Sequence, residues 1–139
     1  LSRAPVGEVT SRRHLEFTGP DGVVRRFQRD VPSITVLPSD AAPFEVWPVH
    51  FKSKSGGADI SEPVRLAEAA EVRRLLDAEF AANPDARIIV AGDFNDTRES
   101  KSMAIVFGSG ATEMWSPEPR ETSDSLVDPE FPEGRAPID

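Results

Sequence analysis

The residues best suited to chemistry lie in Ala91-Gly92-Asp93-Phe94-Asn95-Asp96. Asp93 and Asp96 offer carboxylates able to hold a hard cation or orient a water, and Asn95 offers an amide donor that can stabilise an oxyanion without adding negative charge. Gly92 allows close backbone approach. Gly, Asn and Asp are also the commonest turn residues, so the run taken alone reads equally as a turn. A second concentration is His50-Phe51-Lys52-Ser53-Lys54, which gathers an imidazole, a hydroxyl and two ammonium groups. Such a set can form a phosphate-binding corner; its plainer reading is a structural histidine beside solvent-facing lysines. His14, with no acidic or Ser partner nearby in sequence, reads as structural. The pairs Arg12-Arg13, Arg25-Arg26 and Arg73-Arg74 read as solvated faces or ion-pair partners. Glu8, Glu16 and Glu45 fall in strand-like stretches, and nothing in their spacing selects one as a ligand.

The elements that must position these groups follow from periodicity. Residues 14–17 and 23–27 read as two strands joined at Gly19-Pro20-Asp21-Gly22, a hairpin. Residues 33–37 and 44–51 alternate polar and apolar and predict two more strands, with Pro48 favouring an edge or a bulge. His50 then stands at a strand end. After a glycine-bearing loop at 52–59, Ser61-Glu62-Pro63 predicts a helix start, and the helix should run to about Phe80. Val64, Ala67, Val72, Leu75, Leu76 and Phe80 form its packing face, leaving Arg65, Glu68, Glu71, Arg73 and Arg74 on solvated faces. Asn83-Pro84-Asp85 ends it. Residues 87–91 form the continuous apolar run of a fully buried strand, which puts Asp93 and Asn95 at the strand's C-terminal end, where a sheet presents side chains to ligands. A second short helix is expected over 99–106, and residues 116–137 read as loop. No internal repeat is present.

Composition narrows the partners. At 139 residues and 38% hydrophobic the chain has the size of one domain. A net charge of -8 argues against binding nucleic acid through a basic surface alone, so a phosphate ligand would need help from a divalent cation. The absence of cysteine excludes disulfides and thiolate zinc sites. No apolar run has the length of a membrane span, and residues 1–20 are not signal-like.

Val49-His50-Phe51-Lys52-Ser53, then Arg65 with Glu68-Ala69, then Ile88-Ile-Val-Ala-Gly-Asp93-Phe-Asn95-Asp96 resemble, in order, the strand-end His motif, the following helix and the Gly-Asp-Phe-Asn signature of the endonuclease/exonuclease/phosphatase superfamily. That family includes pancreatic deoxyribonuclease, abasic-site endonucleases, sphingomyelinases and inositol phosphatases. Leu1-Ser2-Arg3-Ala4-Pro5 is similar to a Leu-Ser-Arg-aromatic-Pro stretch of many members, and Pro137-Ile138-Asp139 to the start of an Ile-Asp-Tyr-Ile strand. The resemblance implies a two-sheet α/β sandwich of mostly antiparallel strands flanked by helices, here partial, and Mg²⁺- or Mn²⁺-dependent hydrolysis of phosphate esters. It implies catalytic roles for His50 (contact to the scissile phosphate), Asp93 (orienting or activating water), Asn95 (bonding a phosphate oxygen) and Asp139 (assisting the metal or leaving group). Asp93 and Asp139 would be the metal contacts, and Lys52 and Lys54 would bind substrate.

The family's main metal ligands, an Asn and a Glu, would precede Leu1, and its Ser-Asp-His motif would follow Asp139. The expectation is therefore the central part of a larger domain, weak in metal binding and inactive alone. The expected partner is a phosphate-ester substrate, including nucleic acid, since the forms resemble bacterial extracellular or periplasmic nuclease-like members. Phosphomonoesters and phospholipids are the alternative substrates. A non-catalytic binding module on the same scaffold and an unrelated acidic α/β domain are the competing classes. Unpaired sheet edges make self-association an expectation, with the oligomeric state left open.

Overall fold

A computed structural model describes residues 4–116. Its main sheet has four strands: β1 (Val6–Thr10), β4 (Ser33–Val36), β5 (Phe44–His50) and β6 (Ile88–Asp93), in the order β1-β4-β5-β6. The first two pairings are antiparallel and β5–β6 is parallel. A parallel pair needs a crossover, and α1 (Ala58–Ala82) supplies it. The predicted hairpin is present as β2 (Glu16–Thr18) and β3 (Val24–Arg26), closed by the Gly22 N–H donating to Gly19 O at 2.9 Å. A short helix, α2 (Lys101–Phe107), follows β6 and is capped by the Ser100 hydroxyl. The fold is thus mixed α/β, with two sheets of mostly antiparallel strands and two helices, a partial α/β sandwich.

The core lies between α1 and one face of the main sheet. Trp47 and Val49 of β5 meet Ala67, Ala69, Val72 and Leu76 of α1; Phe17 and Phe27 close the hairpin side, with ring centroids 4.8 Å apart. The Arg12 guanidinium lies 4.1 Å from the Trp47 ring and donates to Val31 O, so it is built into the core edge rather than solvated. Burial pulls its pKa below the usual arginine value, against the pull of Glu45, Glu79 and Asp30.

Among the described residues nothing covers the opposite sheet face. Register carries one row, Val9–Ile34–Val46–Ile89, straight across all four strands on that side. Val9 is 57% and Ile89 49% exposed. Residue alternation puts His50 and Asp93 on this face too, at its C-terminal rim.

Several expectations need correction. β1 was foreseen only as a strand-like stretch around Glu8, without bounds, and the register shift between Val6 and Val9 breaks its alternation. His14 is exposed in a turn before β2 rather than in a strand. Pro48 is in an inner strand, and it fits because β4 pairs with β5 only as far as Val46. β6 is an edge strand, half covered rather than fully buried. The helix starts at Ala58, one turn earlier than expected, behind Gly57. Most consequentially, Arg65, Glu68, Glu71 and Arg73 are buried, because backbone and side-chain partners satisfy them, outside α1 for Arg65, Glu68 and Arg73 and within it for Glu71. Arg73 donates to Asp77 and to the carbonyls of Val106, Phe107 and Thr112, which fixes α2 and the turn after it; Glu71 pairs with Arg74, which does remain exposed. The expected loop over 116–137 lies, beyond Ser116, outside the described residues.

Candidate functional site

The site is set by how β5 and β6 end. Their parallel register makes His50 and Asp93 direct neighbours, and the Phe51 N–H donates to Asp93 O at 2.9 Å, carrying the pairing one residue further. Gly92 is required there. Its φ is +142°, and a Cβ would stand 2.0 Å from Val49 O, so the backbones of the two site strands approach more closely than a side chain permits. Asn95 then turns the chain at φ 50°, a left-handed conformation Asn tolerates. Its N–H donates to Asp93 Oδ1 at 2.8 Å, and its Nδ2 donates back to Phe51 O at 3.0 Å. The Phe94 and Phe51 rings meet edge to face at 5.4 Å beneath this turn.

His50 Nε2 lies 3.7 Å from Asp93 Oδ2, too long for a hydrogen bond but within ion-pair range when the imidazole is protonated. Both side chains are accessible, at 46% and 61%. The structure therefore brings together His50, Asp93 and Asn95 from two strand ends. Asp139 lies outside the described residues.

The lysines are engaged locally. Lys52 Nζ folds onto the loop after β5, donating to the Ser55 carbonyl at 3.0 Å and to its hydroxyl at 3.2 Å, while Lys54 Nζ pairs with Asp96 at 3.2 Å. Asp96, read from sequence as a ligand, is instead an anchor. It accepts from the Ser102 hydroxyl at 2.8 Å and the Thr97 N–H at 3.1 Å, and pairs with Lys54 and Arg65. Burial raises its pKa, but the bonds from Ser102, Lys54 and the Thr97 N–H outweigh this and hold it at about 2. Sequence reasoning also missed Glu68. Its carboxylate, 1% exposed, accepts the Lys52 N–H at 2.7 Å and the Gln28 N–H at 3.4 Å, pinning the chain where it leaves β5. Burial pushes its pKa up against those bonds. The signal available was the spacing of Arg65 and Glu68, which sets both on one helix face, read instead as solvated.

Beside the rim, a cleft of about 430 Å³ opens between the first turns of α1 and residues 96–102. Lys54, Ser61, Arg65, Asp96 and Lys101 are among its walls. Among the described residues no group of three or more His, Cys, Asp or Glu could hold a metal. His50 and Asp93 alone do not make a metal cage.

A profile of the Endonuclease/Exonuclease/phosphatase family matches residues 25–123, most of the chain and all of the site just described. The chain belongs to that family. Searches of curated proteins and of solved structures return no match. Endonuclease/exonuclease/phosphatase members typically hydrolyse phosphate esters and commonly use divalent metals, so the scaffold is phosphoesterase- or nuclease-like. Among the described residues no helix is long and apolar enough to cross a membrane.

Proposed function

We propose that His50, Asp93 and Asn95 serve metal-dependent hydrolysis of phosphodiester bonds, nuclease-like, and that residues 1–139 are the central part of the catalytic domain. The observation carrying this reading is the registered pair His50 and Asp93, exposed together on one rim. In it, Asp93 orients the attacking water and takes its proton, and the His50 imidazole donates to a non-bridging phosphate oxygen. Asn95 keeps one Nδ2 hydrogen on Phe51 O, which leaves the other for a second phosphate oxygen. Lys54 and Lys52 border the approach, each already tied down. The divalent ion is part of the proposal only as a requirement, since the described ligands do not suffice for it.

The domain reading has its own support. A four-strand apolar row left open on the face that bears His50 and Asp93 is what a second layer covers in a sandwich.

The test is metal-dependent release of p-nitrophenol from bis(p-nitrophenyl) phosphate, with Mg²⁺ or Mn²⁺, by the complete gene product. Asp93→Ala is expected to lower the rate at least about a hundredfold. An unchanged rate in that variant sinks the assignment. Residues 1–139 alone are expected to bind Mn²⁺ weakly, with line broadening at His50 and Asp93, and to show no turnover. Metal-dependent turnover by these residues alone would overturn the domain reading but leave the chemistry standing.

A further inference from the structure

We propose that the cleft between α1 and residues 96–102 binds a second phosphate group of the substrate, one that is not cleaved. The inference rests on the phosphodiesterase reading above and deepens it, since it restricts the substrate to molecules carrying at least two phosphates, such as an oligonucleotide.

The walls of the cleft supply what a phosphate needs. Arg65, with a side chain only 6% exposed, spends Nε on Asp96 and Nη1 on Lys52 O, and Nη2 has no partner among the described residues. A guanidinium held rigidly with an unspent donor is suited to an oxyanion. Ser61 also lines the cleft, and its Oγ is buried with no hydrogen-bond partner, an unsatisfied group of the kind that calls for an explanation. Lys54 pairs with Asp96 through one of its three hydrogens, and Lys101, 83% exposed, makes only a loose 3.8 Å pair with Glu62. Three carboxylates, Glu62, Asp96 and Glu99, face three cations in the same walls. The cleft therefore lacks the excess positive charge that would gather polyanions from a distance, and suits one singly charged phosphodiester group held at short range.

Position links the cleft to the reaction. Asp96 is three residues beyond Asp93, so their Cα atoms are at most about 11 Å apart. Lys54 and His50 are likewise joined by one short loop. A phosphate in the cleft would hold the adjoining one over His50 and Asp93, contributing through orientation.

The experiment is a ¹H–¹⁵N NMR titration of the 139-residue chain with inorganic phosphate and with thymidine 3′,5′-bisphosphate, each matched in ionic strength by sodium chloride. Phosphate is expected to shift Arg65 Nε and the amides of Ser61 and Lys101 with millimolar affinity, and the bisphosphate to bind about tenfold more tightly. Ser61→Ala, which removes a hydroxyl that has no partner among the described residues, should weaken binding about threefold, and Lys101→Glu about fivefold. Asp93→Asn should leave cleft binding intact, so a failure of the hydrolysis assay and a failure here are told apart. Equal shifts with chloride, shifts confined to other residues, or full binding in Ser61→Ala with Lys101→Glu would overturn the proposal.

Discussion

His50 and Asp93 are register partners across the parallel pair β5–β6, and their side chains stand 3.7 Å apart on the same face. Their pairing is a property of the backbone, so the side chains can be changed with little cost to folding. Asp93→Asn keeps the acceptor for the Asn95 N–H while removing the charge. It should alter stability by less than about 0.5 kcal/mol in urea unfolding, while phosphodiester hydrolysis falls at least about a hundredfold. A comparable loss of both would mean that Asp93 acts structurally.

Gly92→Ala should behave in the opposite way. Its φ of +142° and a Cβ only 2.0 Å from Val49 O leave no room, and the obstacle is backbone. A loss of roughly 3 kcal/mol is expected from overpacking and strain together, read as a lower urea midpoint. Wild-type stability in this variant would refute the close approach of β5 and β6.

Asp96 predicts an acid-side dependence. Its folded pKa of about 2 is below the usual aspartate value of 3.8, so its contribution to stability is full above pH 4 and is lost as pH falls through 2. With its partly exposed edge discounted, the contribution is on the order of 1–2 kcal/mol. Asp96→Asn should flatten the pH dependence of unfolding between about pH 4 and 2.

Glu68 has the reverse sign. A carboxyl whose folded pKa is raised binds more protons folded than unfolded, so its contribution falls as pH rises above its usual value of 4.5. Glu68→Gln, whose single amide oxygen can keep the 2.7 Å bond from the Lys52 N–H but gives up the 3.4 Å one from the Gln28 N–H, should cost less than about 1 kcal/mol at pH 7, half the loss of a full truncation. Glu68→Ala should cost about 2 kcal/mol by leaving those donors buried and unpaired. Equal unfolding free energies for the two variants would rule out this role.

The open face can be tested at Ile89. In residues 1–139 an Ile89→Thr change should shift stability by under about 0.5 kcal/mol. In the complete protein, where the domain reading places a covering layer, it should cost about 1–3 kcal/mol. Identical small effects in both would argue against the second layer.

What was legible in the sequence was local. Alternation gave β4 and β5, the apolar run gave β6, and Gly-Asp-Phe-Asn at its end gave the position of Asp93 and Asn95. Those signals depend on neighbours along the chain. The roles of Arg65, Glu68 and Arg73 depend on partners outside α1, namely Asp96, the Lys52 N–H and the carbonyls around Val106. A charged residue on a helix looks solvated until those partners are known. For the same reason Asp96 resembled a ligand, although its lone pairs were already committed to Ser102, Thr97 and two cations.

The start of α1 has a thermodynamic implication of its own. Gly57 caps it without a side-chain hydrogen bond, and Pro63 removes an amide donor from its second turn. This is the end of the helix most easily frayed, yet Ser61, Arg65 and Glu68 all hang from it or just beyond. Local opening there would release the Asp96 turn and the chain after His50 in one event, well below the energy of global unfolding. Amide exchange at Lys52 and Thr97 should then follow the fraying of α1's first turns rather than the melting of the sheet, and a bound phosphate would be felt first as slower exchange at that helix end.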